Sequence, residues 1–241
     1  MRASLIIATC DRPELLAVTL ASVARQKVKG MEVLVIEDGT SKLTSKLCKQ
    51  YGFGFLSTGR IDTSWRVPGF AFNIGVRQTS GDVLIFTSCD IYQVDDCLEP
   101  MIAAVEANNT ALARPRGLDA DEPSEPVAFG PCDTGAKTVY AIRNQRRLNT
   151  DLMFLMAMSR NEFVSIGGYD EDFDGHSSED KDLVNRLRLN GCEYVRTSGL
   201  CIHQYHKRGE YVGVLHSNRA IYKQKRGTIV RNAGREWGQL T

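Results

Sequence analysis

Strand-like and helix-like stretches alternate without interruption over residues 1–107, and this alternation leaves few folds open to the chain. SLIIAT (4–9), MEVLVIED (31–38), GFGFLST (52–58) and GDVLIFTS (81–88) are short apolar runs of the buried-strand kind. Helix signals lie between them. After the first run, DRPE offers Asp11 as a cap, Pro13 in the first turn and Glu14 at a capping-box position. Leu16, Leu20, Val23 and Ala24 follow at helical spacing. Residues 42–50, 70–78 and 96–107 read as further helices. The βαβαβαβ series predicts an α/β fold with a mostly parallel central sheet flanked by helices. In such sheets ligands bind beyond the carboxyl ends of the strands. Polar residues stand at three of those ends: Thr9 to Arg12, Glu37 with Asp38, and Ser88 to Asp90.

The second half is less regular. Residues 115–137 are rich in Pro, Gly and acids and read as a long loop. DLMFLMAMS (151–159) reads as a buried strand, and RNEFVS as a short helix before a Gly-Gly turn and an acidic loop. SSEDKDLVNRLRLNG (177–191) reads as a helix packed through Leu183, Leu187 and Leu189. Its first turn holds Glu179, Asp180 and Asp182, at the end where a helix favours negative charge. YVRTSGLCIHQYH (194–206) supplies one or two final strands. No repeat or boundary is visible. One domain over 1–241 is expected, with halves at 1–107 and 138–206 and a basic segment at 207–241.

Several classes are excluded. No glycine-rich turn follows the first strand and no Walker A motif is present, so neither Rossmann dinucleotide binding nor P-loop chemistry is expected. Thirty Lys and Arg against 29 Asp and Glu give a net charge of +1, which is no polyanion signature for the whole chain. The cations do gather after His203, at Lys207, Arg208, Arg219, Lys223, Lys225, Arg226, Arg231 and Arg235. A solvated helix face and a clamp for a phosphate-bearing substrate are both open readings. Without aromatic residues interleaved, the run is a weak nucleic-acid signal. No apolar run approaches the roughly 20 residues that span a bilayer. Seven cysteines without a C-x-x-C pair suggest reduced, packed thiols, and a cytoplasmic protein is the expectation.

Asp90, in TSCDIYQ (87–93), follows the clearest strand, where a carboxylate projects rigidly into the ligand crevice. Hard divalent cations prefer such oxygens, and Mn²⁺ also accepts imidazole. CIHQYH (201–206) places His203 and His206 after an apolar strand, where either can supply a nitrogen to the same ion.

Together these segments resemble the inverting family-2 glycosyltransferases of GT-A fold. LIIATCDRPELLAVTLASVARQ resembles the family's opening strand and helix, and EVLVIEDGTS its V-I-V-V-D-D-G-S. GFAFNIGVRQTSGDVLIFTSCDIY resembles the A-R-N-x-G helix, strand and D-x-D segment. FVSIGGYDEDFDGHSSEDKDLVNRLRLNG resembles the Gly-Gly-Phe-Asp-Glu and Glu-Asp segments, closest to the branch of chondroitin polymerase and the galactosyl- and N-acetylgalactosaminyltransferases. The resemblance covers about 4–206 apart from the middle loop. It implies a metal-dependent transfer of a sugar from a nucleotide-sugar, a UDP-sugar by preference, to a hydroxyl of an unidentified acceptor. By position, Thr9, Asp11 and Arg12 would border base and ribose, Asp38 would accept the uracil imide N–H, and Asn73 would sit near the donor. Asp90 would bind Mn²⁺ or Mg²⁺, with His203, or else His206, as distal ligand. Asp180 would be the general base and Glu179 would hold the acceptor. Two departures stand out. Ser88 replaces the first acid of D-x-D, so it can replace a ribose hydrogen bond but not a charge, and Phe72 stands where Arg is common. A non-catalytic nucleotide-sugar binder of the same fold is the alternative that Ser88 supports, and a glycosyltransferase acting on nucleic acid is the other. A nucleotidyltransferase would want a glycine-rich, lysine-containing opening that is absent.

Overall fold

The computed structural model describes residues 1–26, 28–61, 66–120, 145–149, 151–175, 177–206 and 212–240. The first half follows the alternation seen in the sequence: β1 (Ala3–Thr9), α1 (Pro13–Gln26), β2 (Glu32–Glu37), α2 (Lys42–Tyr51), β3 (Gly54–Ser57), α3 (Gly69–Gln78) and β4 (Val83–Ser88). The strands β3, β2, β1 and β4 lie side by side in that order, all parallel. β1 is buried along its whole length because both faces are covered. Leu5 and Ile7 join Leu16 and Leu20 of α1 on one side, while Ile6 and Ala8 join Ala71 and Phe72 of α3 on the other. Gly75 permits that second contact. A Cβ there would lie 2.4 Å from Ile6 Cγ2.

The sheet continues through β5 (Ile91–Gln93), α4 (Leu98–Ala107), β6 (Ala111–Ala120), β7 (Gln145–Arg147), β8 (Leu155–Ser159), α5 (Arg160–Ser165), α6 (Glu179–Leu189), β9 (Glu193–His203) and α7 (Val212–Lys225). Its order is β3-β2-β1-β4-β8-β6-β9-β5, with β7 paired to β6. β8 enters antiparallel between β4 and β6, so the sheet is parallel in its first four strands and mixed beyond.

Some expectations shift. α1 begins at Pro13, and the Arg12 carbonyl accepts from Leu16 N at 3.0 Å, so Arg12 rather than Asp11 is the residue that opens it. Asp11 sits at φ 48 with its N–H donated to Glu37 Oε1 at 2.9 Å. The stretch read as a loop from 115 onward is strand as far as Ala120. Pro115 is accommodated at the register shift between Arg114 and Arg116, where the ladder is irregular. The rest of that loop, 121–137, lies outside the described residues. The buried strand expected over 151–159 starts only at Leu155. The last strand pattern forms one strand, β9, with Gly199 at φ 99. Lys207 and Arg208 of the basic segment fall outside the described residues.

Candidate functional site

The metal candidates come together through strand register. Asp90 closes the turn after β4, and β5 then runs back beside β9, placing Ile91 opposite His203. Gln204 N donates to the Asp90 carbonyl at 2.8 Å and fixes the crossing. The parallel β6–β9 ladder puts Asp119 opposite His203. As a result Asp90 Oδ2 lies 3.6 Å from His203 Nε2, 3.3 Å from His206 Nε2 and 3.2 Å from Arg12 Nη1. Ser88 donates its hydroxyl to Asp90 Oδ1, so the residue in place of the first D-x-D acid orients the remaining carboxylate. One ligand atom from each of Asp90, His203 and His206 lies within 4.8 Å of the others.

Burial opposes a charge on Asp90, but hydrogen bonds from His203, His206 and Ser88 outweigh it and hold the carboxyl far below the usual range. Burial likewise works against a charged His203, and its bonds to Asp90 and Asp119 reverse the balance and raise it. His203 Nδ1 lies 2.7 Å from Asp119 Oδ1, an arrangement that orients the ring and leaves Nε2 toward Asp90. Asp119 was not singled out in the sequence, because it lies in the stretch that reads as loop.

The donor-side candidates divide. Thr9, Arg12, Asp38 and Ser88 line the cleft; neither Asp11 nor Asn73 belongs to its lining. Asp38 is buried, its carboxylate accepts from Thr58 Oγ1 at 3.0 Å and from two nitrogens of Arg66, and it forms an ion pair with Arg60 at 3.2 Å. Asn73 is fully buried. Its amide donates to the Tyr169 carbonyl at 3.0 Å and to Glu171 Oε1 at 2.8 Å, and its oxygen accepts from Tyr169 N at 2.9 Å. It therefore fastens α3 to the Gly167–Gly168 turn and acts on the cleft only through that turn.

The acid candidates stand at the start of α6. Ser177 and Ser178 both adopt left-handed backbone, φ 77 and 76, immediately before Glu179. Such residues cost on the order of 1–3 kcal/mol each and persist where surrounding structure fixes them. Glu179 is 8% exposed, and its Oε2 has no hydrogen-bond partner among the described residues. Burial, then the Asp180 charge, pushes its carboxyl above the usual range. Burial also raises Asp180, against bonds from the Tyr169 hydroxyl and the Met153 backbone that favour its charged form. Tyr169 OH donates to Asp180 Oδ1 at 2.9 Å. The resembled motif has Phe at that place, so this donor belongs to the present chain.

Asp182 differs from what the sequence suggested. It reads as one more acid at a helix start, yet it is fully buried between Arg186 Nε at 2.7 Å and Arg231 Nη2 at 2.9 Å. Its position in the Leu183–Leu187 stripe, with Arg186 one turn on, was the available signal.

Both clusters line one cavity of about 1490 Å³. That exceeds the roughly 300–1,000 Å³ of an ordinary ligand pocket and leaves room for two reactants. One cluster is a carboxylate with two imidazoles, and the other is a pair of carboxyls whose ionisation burial disfavours.

A family model described as glycosyl transferase family 2 matches residues 4–160, and one described as the N-terminal domain of galactosyltransferase matches 147–212. No curated protein matches the sequence. Among solved structures, S. aureus TarS superposes with a TM-score of 0.63 at 15% identity, over 93% of this chain and 39% of TarS. GalNAc-T7 with UDP, GalNAc and Mn²⁺ gives 0.62 at 15% identity, over 86% of this chain and 44% of its own. The Pyrobaculum calidifontis mannosyltransferase PcManGT, in complex with GDP-Man and Mn²⁺, gives 0.59 at 16% identity, over 93% and 62%. The chain thus spans about two fifths to three fifths of these proteins. At such identities the likeness concerns the fold.

Proposed function

The chain belongs to glycosyl transferase family 2, and from that premise we propose that it transfers a sugar, with inversion, from a UDP-sugar to an acceptor hydroxyl. One observation carries the reading: the Asp90–His203–His206 cluster and the Glu179–Asp180 pair line the same cleft. Asp90, His203 and His206 would hold a divalent cation. The fit is chemical as well as spatial, since Asp119 already engages the far nitrogen of His203. Imidazole donors, and the Mn²⁺ in two of the structural relatives, favour Mn²⁺ over Mg²⁺. When bound, the cation supplies positive charge to the departing diphosphate.

Arg12 would add its own cation beside the diphosphate, and Thr9, Ser88 and Asp38 would border the nucleoside. Asp180 takes the acceptor's hydroxyl proton as that oxygen bonds to the anomeric carbon. The bond from this carbon to the diphosphate oxygen breaks, and its electron pair leaves with the nucleoside diphosphate. Attack from the face opposite the leaving group inverts the centre. Glu179, with an unpartnered buried oxygen, would accept a hydrogen bond from the acceptor. Among the described residues no helix is long and apolar enough to cross a membrane.

Thermal denaturation with nucleotides tests donor and metal together. In this reading one Asp38 oxygen exchanges an arginine contact for the uracil imide N–H, so UDP with Mn²⁺ should raise the melting temperature more than GDP or CDP does. At a free concentration a hundredfold above Kd, the gain is about 2.7 kcal/mol. Asp90→Ala should abolish the Mn²⁺-dependent part of the shift. Equal shifts for all three nucleotides would remove the uridine assignment, and a Mn²⁺ effect that survives Asp90→Ala would remove the metal site.

A further inference from the structure

Five cations line the acceptor side of the cleft: Lys181 and Arg188 on α6, and Arg219, Lys223 and Arg226 on or just beyond α7. The first row starts one residue after Asp180. Positions 181, 185 and 188, and again 219, 223 and 226, each follow the i, i+4, i+7 spacing of one helix face, about 10 Å from end to end. Asn185 donates to the Arg226 carbonyl at 2.9 Å, which holds the two rows side by side.

The charges of these helices divide between the two faces. Behind the cleft, Lys225 pairs with Asp170 and Asp172, Arg235 pairs with Asp172, and Arg186 and Arg231 share Asp182. On the cleft face all five cations are exposed, and among the described residues none has an ion pair. The aromatic interleaving that the linear sequence lacks is supplied across elements. Tyr222 lies under Lys181 at 5.1 Å and Tyr194 of β9 under Arg188 at 5.5 Å, and both rings line the cleft.

We infer that this wall is a binding track for a single-stranded nucleic acid, which the enzyme takes as its acceptor. Guanidinium and ammonium groups suit phosphodiester oxygens, and the Tyr222 ring offers a face for an unpaired base, whereas the Tyr194 ring also packs on Arg114 at 4.2 Å. Naming the strand as acceptor rests on the transfer reading above; its binding does not.

Fluorescence anisotropy with a labelled single-stranded oligonucleotide, measured without donor or metal, tests the track. Affinity should fall with salt along a log–log slope of about −3.5, from five contacts at about −0.7 each. The double variant Arg219→Glu, Lys223→Glu alters exposed side chains only. It should melt like the wild type, keep its UDP–Mn²⁺ shift and lose at least about tenfold in strand affinity with a shallower slope. Tyr222→Ala should lose about tenfold through stacking. An oligonucleotide that fails to bind, or binds the double variant as tightly as the wild type, overturns the track. A sulfated polysaccharide that binds equally well, with Tyr222→Ala silent, overturns the nucleic-acid assignment. Loss of the UDP shift in the wild type would instead strike the donor reading.

Discussion

Asp180→Asn is expected to lower sugar transfer by roughly 10²- to 10⁴-fold, the usual worth of a general base, while donor binding survives. The amide keeps the size of the side chain and still accepts from the Tyr169 hydroxyl, which reaches Asp180 Oδ1 at 2.9 Å. It cannot take a proton. Stability should not suffer. A carboxyl raised in the folded state stabilises the protein below its unfolded pKa, and that contribution is lost as pH rises through the folded value. At neutral pH the buried charge therefore costs stability, and the variant should melt no lower than the wild type. Wild-type transfer by Asp180→Asn would end the base assignment. A wild type that binds UDP yet transfers to no acceptor would favour the non-catalytic binder that Ser88 suggests.

The same residue sets the pH dependence. The base acts ionised, so transfer should rise with pH along an acid limb lying above the ordinary aspartate value of 3.8. Tyr169→Phe removes a hydrogen bond that favours the ionised form, so its limb should move to higher pH. At a pH above both limbs, Tyr169→Phe and wild type should converge. A role confined to packing would depress the rate evenly at every pH and leave the limb in place.

The parallel half of the fold was legible because β1, β2 and β4 are continuous apolar runs between helices of clear period. β5 and β7, with three residues each, carry no periodic signal of their own. β6 hides behind Pro115 and Gly117, and it is strand because β8 and β9 supply its partners. The site shows the same division. Asp90, His203, Glu179 and Asp180 stand in recognisable local patterns. Asp119 meets His203 across 84 residues of sequence, a pairing that only sheet register creates. Asn73 sat in a motif, but its amide is committed to the Gly-Gly turn. Local pattern identifies what type of group is present; burial and long-range pairing decide what that group can do.

Asp182→Ala is expected to cost about 3–5 kcal/mol in chemical denaturation, the usual penalty for removing one member of a buried ion pair. Arg186 is fully buried, and it donates to the Ile166 and Gly168 carbonyls at 3.0 and 2.9 Å as well as to Asp182. Without the carboxylate its charge stays in place with carbonyl partners alone. Arg231, also buried, keeps Asp170 at 2.9 Å but loses its second anion. Ala is the harsher probe, because Asn retains an acceptor for one guanidinium; Asp182→Asn should fall between Ala and wild type. The damage should reach the chemistry as well. Arg186 grips the Gly-Gly turn whose next residue, Tyr169, holds Asp180, and Asn232 binds the same turn through the Gly167 and Tyr169 carbonyls. Transfer by the surviving folded fraction should therefore drop with donor affinity little changed. Asp182→Asn and Asp182→Ala both within about 1 kcal/mol of wild type would show that the Asp182 carboxylate is not what stabilises this junction, and the ion network would then not be what holds the base.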